Sequence, residues 1–495
     1  MSPRLTPVLL WMGLLIAPMV ARTQAPPADS ALSERQDRVL NGVARDRFGG
    51  RWTDLTSAQL GDLRRRADAY VDHLNRWHLA GGLVTSVRFA DGQDDRILSY
   101  EDLDQSAIQT GYLLGAHAHR FVVTRETRSL TDISNVLSGV ERLLRTGPKP
   151  GFIPCFVGPA DDPVYRPFYS TFGGADPDRP GFGKLAFSSK DTNGTALVWL
   201  GGTTRESYAA LNFGLGLVHR LTRDAAVRDR CARAVGLILD RLEADGWRID
   251  DGQGHMTFVP PLLKAALLAS GAQTDPRRHG TAYQASLRDL LTLGGTAVVR
   301  YSDYAPNVSA FANYFLLAKL ENDQGRRLQI QQQLTQLWRE GEPDLNPFFA
   351  ASYVSPFDPT PNSPGARAIL QGMLFSFPPP PRRELAATNR ISNFSALTAN
   401  GREWSRYALL LPEQSVAPFQ WMRSPYTLPE PGNPRIAHPG VDFLVAYWMS
   451  REASVVPNEN ATVSPSGTRR RRGATNDSSL TNLPTAPITA PKVTP

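Results

Sequence analysis

Apolar residues recur along this chain every three or four positions, and that period admits helices and little else. Leu60, Leu63, Ala67, Tyr70, Leu74 and Trp77 share one face, leaving Arg64, Arg65, Arg66, Asp68 and Asp72 for the other. A second helix is predicted over 104–124. A third opens at Ser129 with Asp132 three residues on, close to a capping box, and stops at Gly147-Pro148. Helices follow over 205–221 and 224–245, the latter with Val227, Cys231, Val235, Ile238 and Leu242 in one stripe. Further stretches are predicted over 256–270, 281–299, 307–324, 327–340, 364–375 and 440–450, with a weaker one over 34–48. The total is about twelve helices, mostly in adjacent pairs joined by short turns.

Two stretches break the rhythm. Residues 148–204 and 376–439 are rich in Pro, Gly and aromatics, including the run Pro378 to Pro381. Loops this long are uncommon inside a domain and build binding rims when ordered. Phe152, Phe156, Tyr165, Phe168, Tyr169, Phe172, Phe182, Phe187 and Trp199 give the first of them the means to pack. Strand signals are few: Leu83–Phe89, Tyr407–Leu411 and Phe419–Met422. The predicted class is mainly α with a minor β element. Tetratricopeptide and ankyrin signatures are absent.

Charge says less than its total implies. The formal charge of +7 over 495 residues includes Arg4 and Arg22 near the start and Arg469 to Arg472 with Lys492 near the end. What remains on the body is about +2, close to neutral for its size. No nucleic-acid-binding motif accompanies the basic residues, so no nucleic acid is expected as a partner. Residues 1–25 read as an export signal: Arg4, an apolar run from Val8 to Val20, then Ala21 and Ala25. That run is too short to span a bilayer, so no stable membrane span is expected and the destination is secreted or periplasmic. The predicted organisation is a signal peptide over 1–25, one domain over 26–455, and a disordered Pro/Thr/Arg tail over 456–495. Cys155 and Cys231 are too few and too far apart for a Cys/His metal site; they either pair or sit apart as small buried residues.

Four segments carry a family resemblance. They are Asp104-Gln-Ser-Ala-Ile-Gln-Thr-Gly-Tyr-Leu-Leu-Gly-Ala-His-Ala-His-Arg-Phe121, Thr203-Thr-Arg-Glu-Ser-Tyr-Ala-Ala-Leu-Asn-Phe-Gly-Leu215, Asn313-Tyr-Phe-Leu-Leu317 and His438-Pro-Gly-Val-Asp-Phe-Leu-Val-Ala-Tyr-Trp-Met-Ser-Arg451. Together with the paired helices, they resemble exported bacterial members of the six-hairpin glycosidase-like (α/α)6 toroid superfamily. The resemblance implies a ring of helix pairs over about residues 35–452, with long loops on one rim. It implies a carbohydrate partner and no cofactor. It does not choose among glycoside hydrolase, polysaccharide lyase or epimerase, and a non-catalytic carbohydrate-binding or envelope protein.

Hydrolysis of a sugar linkage needs two carboxyls across a cleft, one protonated and one ionised. Glu206 leads the candidates, in the first turn of a helix directly after the aromatic loop, although an acid there also complements the helix dipole. Asp442 lies among Val441, Phe443, Leu444 and Val445, where burial suits a general acid, or caps the last helix. Asp303 is flanked by Tyr301 and Tyr304, two rings able to stack on a sugar, or is a turn aspartate. Asp191 and Asp104 rank lower. Arg205 and Tyr208 share a helix with Glu206 and suit, respectively, an acidic substrate group and a lyase acid or base; each also reads as core. His255 follows a Gly-rich turn and either joins Tyr208 in elimination or is a solvated loop histidine. The chain has no phosphate loop and no G-x-S-x-G elbow, and His117 and His119 point to different sides of a helix.

Overall fold

The computed structural model describes residues 55–90, 96–167, 186–293, 295–357, 363–385 and 396–457. The expected signal peptide, the helix over 34–48, Phe168, Tyr169, Phe172 and Phe182, and the tail beyond 457 lie outside the described residues.

Twelve α-helices lie within the described residues: α1 Ser57–His73, α2 Ser106–Thr124, α3 Thr127–Thr146, α4 Arg205–Leu221, α5 Ala225–Ala244 and α6 Pro261–Thr274, then α7 Pro276–Thr292, α8 Ala305–Leu320, α9 Gln324–Gly341, α10 Pro347–Val354, α11 Pro364–Ser376 and α12 Val441–Glu452. The chain is mainly α, as expected. Local sequence sets the starts. Thr56 and Gln59 form a capping box at α1, and Asp224, Asp275, Asp323, Asn346 and Ser363 each accept a backbone N–H at the start of their helices.

Burial alternates along the series. The even-numbered helices are buried around most of their circumference, whereas α1, α3, α5, α7 and α9 bury one stripe and leave the other face wet. Each even-numbered helix packs on the next, from α2 to α12, and α12 packs back on α2. Each odd-numbered helix packs on the buried helix before it, and α1 packs on α12.

Glycines set how close the buried helices come. A Cβ at Gly111 of α2 would stand 2.2 Å from the Ala210 backbone of α4, and one at Gly214 would stand 2.2 Å from the Gly111 carbonyl. Gly216 likewise lets α4 approach Ser270 of α6 and Leu316 of α8. In α2 and α4, contacts advance together from Gly111 and Ala210 to Gly115 and Leu217, so the two helices run parallel and begin at the same level.

Even-numbered helices pass to their successors by short turns, such as Arg125–Glu126 after α2 and Asp275 after α6. Every described strand lies instead in a connection that leads into an even-numbered helix. The largest sheet has four antiparallel strands in the order Arg382–Arg383, Ile436–His438, Ser86–Phe89 and Ile97–Glu101. A three-stranded sheet pairs Phe156–Pro159 and Ala186–Lys190 with Ala196–Leu200, and a hairpin joins Arg248–Asp250 to Met256–Phe258.

Several expectations are corrected. Helix α10 has no predicted counterpart, because Pro347-Phe-Phe-Ala-Ala-Ser-Tyr-Val354 has no polar face to create a period. Met256–Phe258 is a strand, and the helix after it starts only at Pro261, whose fixed φ suits a first turn. Of the expected strands only Leu83–Phe89 forms, as two short pieces; Leu411–Glu413 and Gln420–Met422 are 3-10 turns beside Pro412 and Pro418. Helix α3 starts at Thr127, and Ser129 and Asp132 are buried, with Asp132 bound by Arg120 rather than acting in a cap. Cys155 and Cys231 are both buried, one in a loop and one on α5.

At the far end of the buried helices, Glu452 of α12 accepts from Lys319 of α8 at 2.9 Å and pairs with buried His119 of α2. Burial opposes its charge, but hydrogen bonds and attraction from His119 and Lys319 hold its carboxyl down at about 2. Burial also pushes His117 down to about 4. Both shifts favour the deprotonated form in the folded protein, so the stability they provide is present at neutral pH and drains as pH falls. For His117 the loss runs from the unfolded value of 6.5 down through about 4 and amounts to about 3 kcal/mol. Urea titrations at pH 7 and pH 4 should show that slope, and His117→Leu should flatten it. Separately, Gly111→Val should lower stability by at least about 1–3 kcal/mol in the same assay through overpacking between α2 and α4.

Candidate functional site

Strand alternation gives the four-stranded sheet two unlike faces. Val87, Phe89 and Ala437 lie on one, packed with Trp77, Ile97 and Tyr100. Direct pairing of Arg382 with His438 and of Ser86 with Glu101, on adjacent strands, sets a polar row on the other, and Arg88 and Ser99 form the next row. Two of these strands lead straight into buried helices: Glu101 through Asp102 into α2, and His438 through Pro439-Gly440 into α12.

His438 is wholly buried at the centre of this face. Its Nδ1 lies 2.8 Å from Ser86 Oγ and 3.6 Å from Asp102 Oδ2, and its Nε2 lies 3.2 Å from Glu384 Oε1. Ser86 also hydrogen-bonds the Asp102 carboxyl. Glu384 is anchored by the Asn433 N–H at 2.6 Å, and Arg88 pairs with Glu101 at 2.9 Å. Asp102 holds left-handed backbone, φ 53°, a conformation that costs a non-glycine residue energy.

Electrostatics divides the two carboxyls. Desolvation pushes Asp102 above the usual carboxylate range, with Asp104 and Glu384 adding to it, against the pull of His438 and Ser86. Burial works on Glu384 too, but hydrogen bonds from His438 and the Asn433 amide, with the charges of His438 and Arg88, bring it below that range. Both remain reachable, with side chains 31% and 21% exposed. The two carboxyls around one histidine are thus shifted in opposite directions, the kind of division on which an acid and a base in one site rest. Burial also drives His78, which sits against this cluster, down to about 3. Among the described residues no group of three or more His, Cys, Asp or Glu is arranged to hold a metal.

Glu206 lies one helix away, half-buried in the first turn of α4 and level with the start of α2. No hydrogen bond or ion pair joins it to another described residue. Its charge is felt by the buried Tyr112, whose ring stacks on Phe419 at 4.8 Å. Arg205 beside it is exposed and donates to the Phe258 carbonyl at 3.1 Å, which ties α4 to a hairpin whose Phe258 side is 71% exposed. His255 on that hairpin is exposed and sits 2.9 Å from Asp251.

The other sequence candidates take structural posts. Asp442 is fully buried: it accepts from Arg382, from the Gln420 N–H at 2.8 Å and from the Phe443 N–H at 2.9 Å, so both of its oxygens are engaged within the core. Tyr304 is buried on Phe349 and donates to Asp344, which also binds Arg300 and Tyr426, so its ring is closed to a sugar. Tyr208 is buried with burial raising its hydroxyl pKa, and it lies near Asp245 and the Ile153 backbone. Asp303 is exposed and accepts from the Ala305 N–H at 3.2 Å, as a turn aspartate does. Tyr301 is half-buried, edge-on to Trp404 and Tyr426. Asp191 accepts the Asn193 and Thr195 N–H groups in its own exposed turn. Asp104 stands in the 3-10 turn between Asp102 and α2.

Sequence reasoning missed Asp102, Glu384, Ser86 and His438 as a group, since they lie up to 352 positions apart. The available signals were the acid-rich Glu101-Asp-Leu-Asp104 before a helix and a histidine before Pro439-Gly440. No protein-family model matches this chain, and no curated protein matches it. The Arg382–Asp442 pair generates a stability prediction. Arg382→Met should leave a buried carboxylate alone and cost about 3–5 kcal/mol in chemical denaturation.

Proposed function

We propose that this chain is an exported glycoside hydrolase built as an (α/α)6 toroid, acting on a polysaccharide or oligosaccharide at the rim where its buried helices begin. The toroid reading draws support from the alternation of buried and one-sided helices and from the packing of α12 back on α2. Long connections and every described strand fall on that one rim, where the positive ends of the buried helices gather. Export rests on the character of residues 1–25, and no helix among the described residues is long and apolar enough to cross a membrane.

The observation that carries the reaction class is the protonation-prone, partly exposed Asp102 on the same rim as the unpaired Glu206. Asp102 protonates the leaving glycosidic oxygen; Glu206 acts from the neighbouring helix start as the ionised partner, as base towards water or as nucleophile. Phe258 and Tyr301 offer apolar ring surface at the rim, and Arg205 offers a guanidinium. The elimination alternative is weakened by the burial of Tyr208.

Release of reducing ends from a panel of bacterial and plant glycans tests the reading. Asp102→Asn and Glu206→Gln should each lower kcat by about 10²–10⁴ while leaving glycan binding in place. Wild-type rates in either variant would remove that residue from the mechanism. Binding without cleavage of any glycan by the wild type would turn the assignment to a carbohydrate-binding protein.

A further inference from the structure

We infer that the hairpin of Arg248–Asp250 and Met256–Phe258, together with Arg205, forms a subsite that selects sugars carrying an anionic group, a uronate carboxylate or a sulfate ester. This rests on the reading of Glu206 as part of a glycan-cleaving site and names the substrate class of that site. Strand register makes the surface. Arg248 pairs directly with Phe258 and Asp250 with Met256, whereas Ile249 between them turns inward and is buried. The outward face therefore carries an aromatic ring and a thioether chain side by side, with Phe258 71% and Met256 40% exposed.

Two arginines border that ring. Arg205 Nε donates to the Phe258 carbonyl at 3.1 Å, and Arg248, opposite Phe258, donates from Nε to the Asp245 carbonyl at 3.2 Å. Both are exposed, and neither pairs with a carboxylate among the described residues. Arg382, Arg300 and Arg230 each meet an acid, so this pair departs from the habit of the chain. A backbone carbonyl cancels no charge, and the terminal N–H groups of both guanidiniums stay available to a ligand. The nearby acids are engaged in their own turn. Asp250 accepts the Gly252 N–H at 2.8 Å; Asp251 accepts the Gln253 and His255 N–H groups and sits 2.9 Å from the His255 ring. The hairpin is also held in place, since Gly202 N–H donates to the Asp251 carbonyl at 2.7 Å and Val259 N–H to that of Trp247 at 3.0 Å. A pyranose lays its C–H face on Phe258 while its anionic group takes donors from Arg205 and Arg248. Arg205 directly precedes Glu206, which sets this subsite beside the bond to be cut.

Calorimetric titration of the full-length protein at physiological salt tests the subsite through binding alone. Oligogalacturonate is compared with its methyl ester, and sulfated with desulfated carrageenan oligosaccharides; each pair shares a backbone and differs in charge. The wild type should bind the anionic member of one pair at least about tenfold more tightly than its neutral counterpart. Preference within the first pair assigns a carboxylate, and within the second a sulfate ester. R205Q combined with R248Q should bring the ratio to about one. F258A should weaken both members about five- to tenfold and leave the ratio in place. Replacing Arg469 to Arg472 with Gln should keep the preference, which separates the subsite from the basic run near the end of the chain. Equal binding within both pairs, no binding of any member, or a preference that survives loss of Arg205 and Arg248 would overturn the subsite. Charge preference without cleavage of any glycan would keep the subsite and sink the hydrolase reading, and cleavage of neutral glycans without charge preference would do the reverse.

Discussion

The contact between Gly111 of α2 and Ala210 of α4 governs the rest of the arrangement. Backbone meets backbone there, with no room for one more carbon, so the two helices are locked in level as well as in distance. Because they run parallel, their first turns end up side by side, and so do the connections that feed them. Asp102, four residues before α2, and Glu206, in the first turn of α4, thereby stand at the same end of two adjacent helices. Interiors packed at crystal-like density do not permit a compromise between such levels.

On that rim, charge is handled in two ways. Asp442 and Asp344 are buried and each meets an arginine, Arg382 and Arg300 respectively. Removing water from such groups is expensive unless they are paired and hydrogen-bonded, as these are. They tie loops to helix starts. Asp102 and Glu384 differ because the polar face of the four-stranded sheet leaves each an open edge. Their shared neighbour His438 stabilises both charges, yet desolvation wins at Asp102 and hydrogen bonding wins at Glu384. The split follows from what surrounds each carboxyl.

The helices were legible wherever a wet face contrasted with a dry one. Helices α1, α3 and α5 announce themselves through Leu63, Ala67 and Tyr70, through Ile133, Val136 and Val140, and through Val227, Cys231 and Val235. Helix α10 was silent because it is apolar on every side. Of the site, Glu206 was singled out from its position after the aromatic loop; it is half-buried and joined by no hydrogen bond or ion pair to another described residue. Asp442 and Tyr304 were singled out for apolar or aromatic surroundings. Those surroundings turned out to be the core itself, where a polar group is kept only when it is hydrogen-bonded.

The amino-acid order alone determined a chain that is mainly helical, the segments in which most of its helices lie, and which two stretches depart from the helical period. Those properties depend on neighbours three or four residues away, which any reader of the chain can see. Tertiary structure decided that Ser86, Asp102, Glu384 and His438 meet, and which of the two carboxyls is shifted up and which down. Both outcomes depend on strand register and on water excluded by distant segments. No local pattern encodes either, because desolvation belongs to the packed neighbourhood and not to the residue.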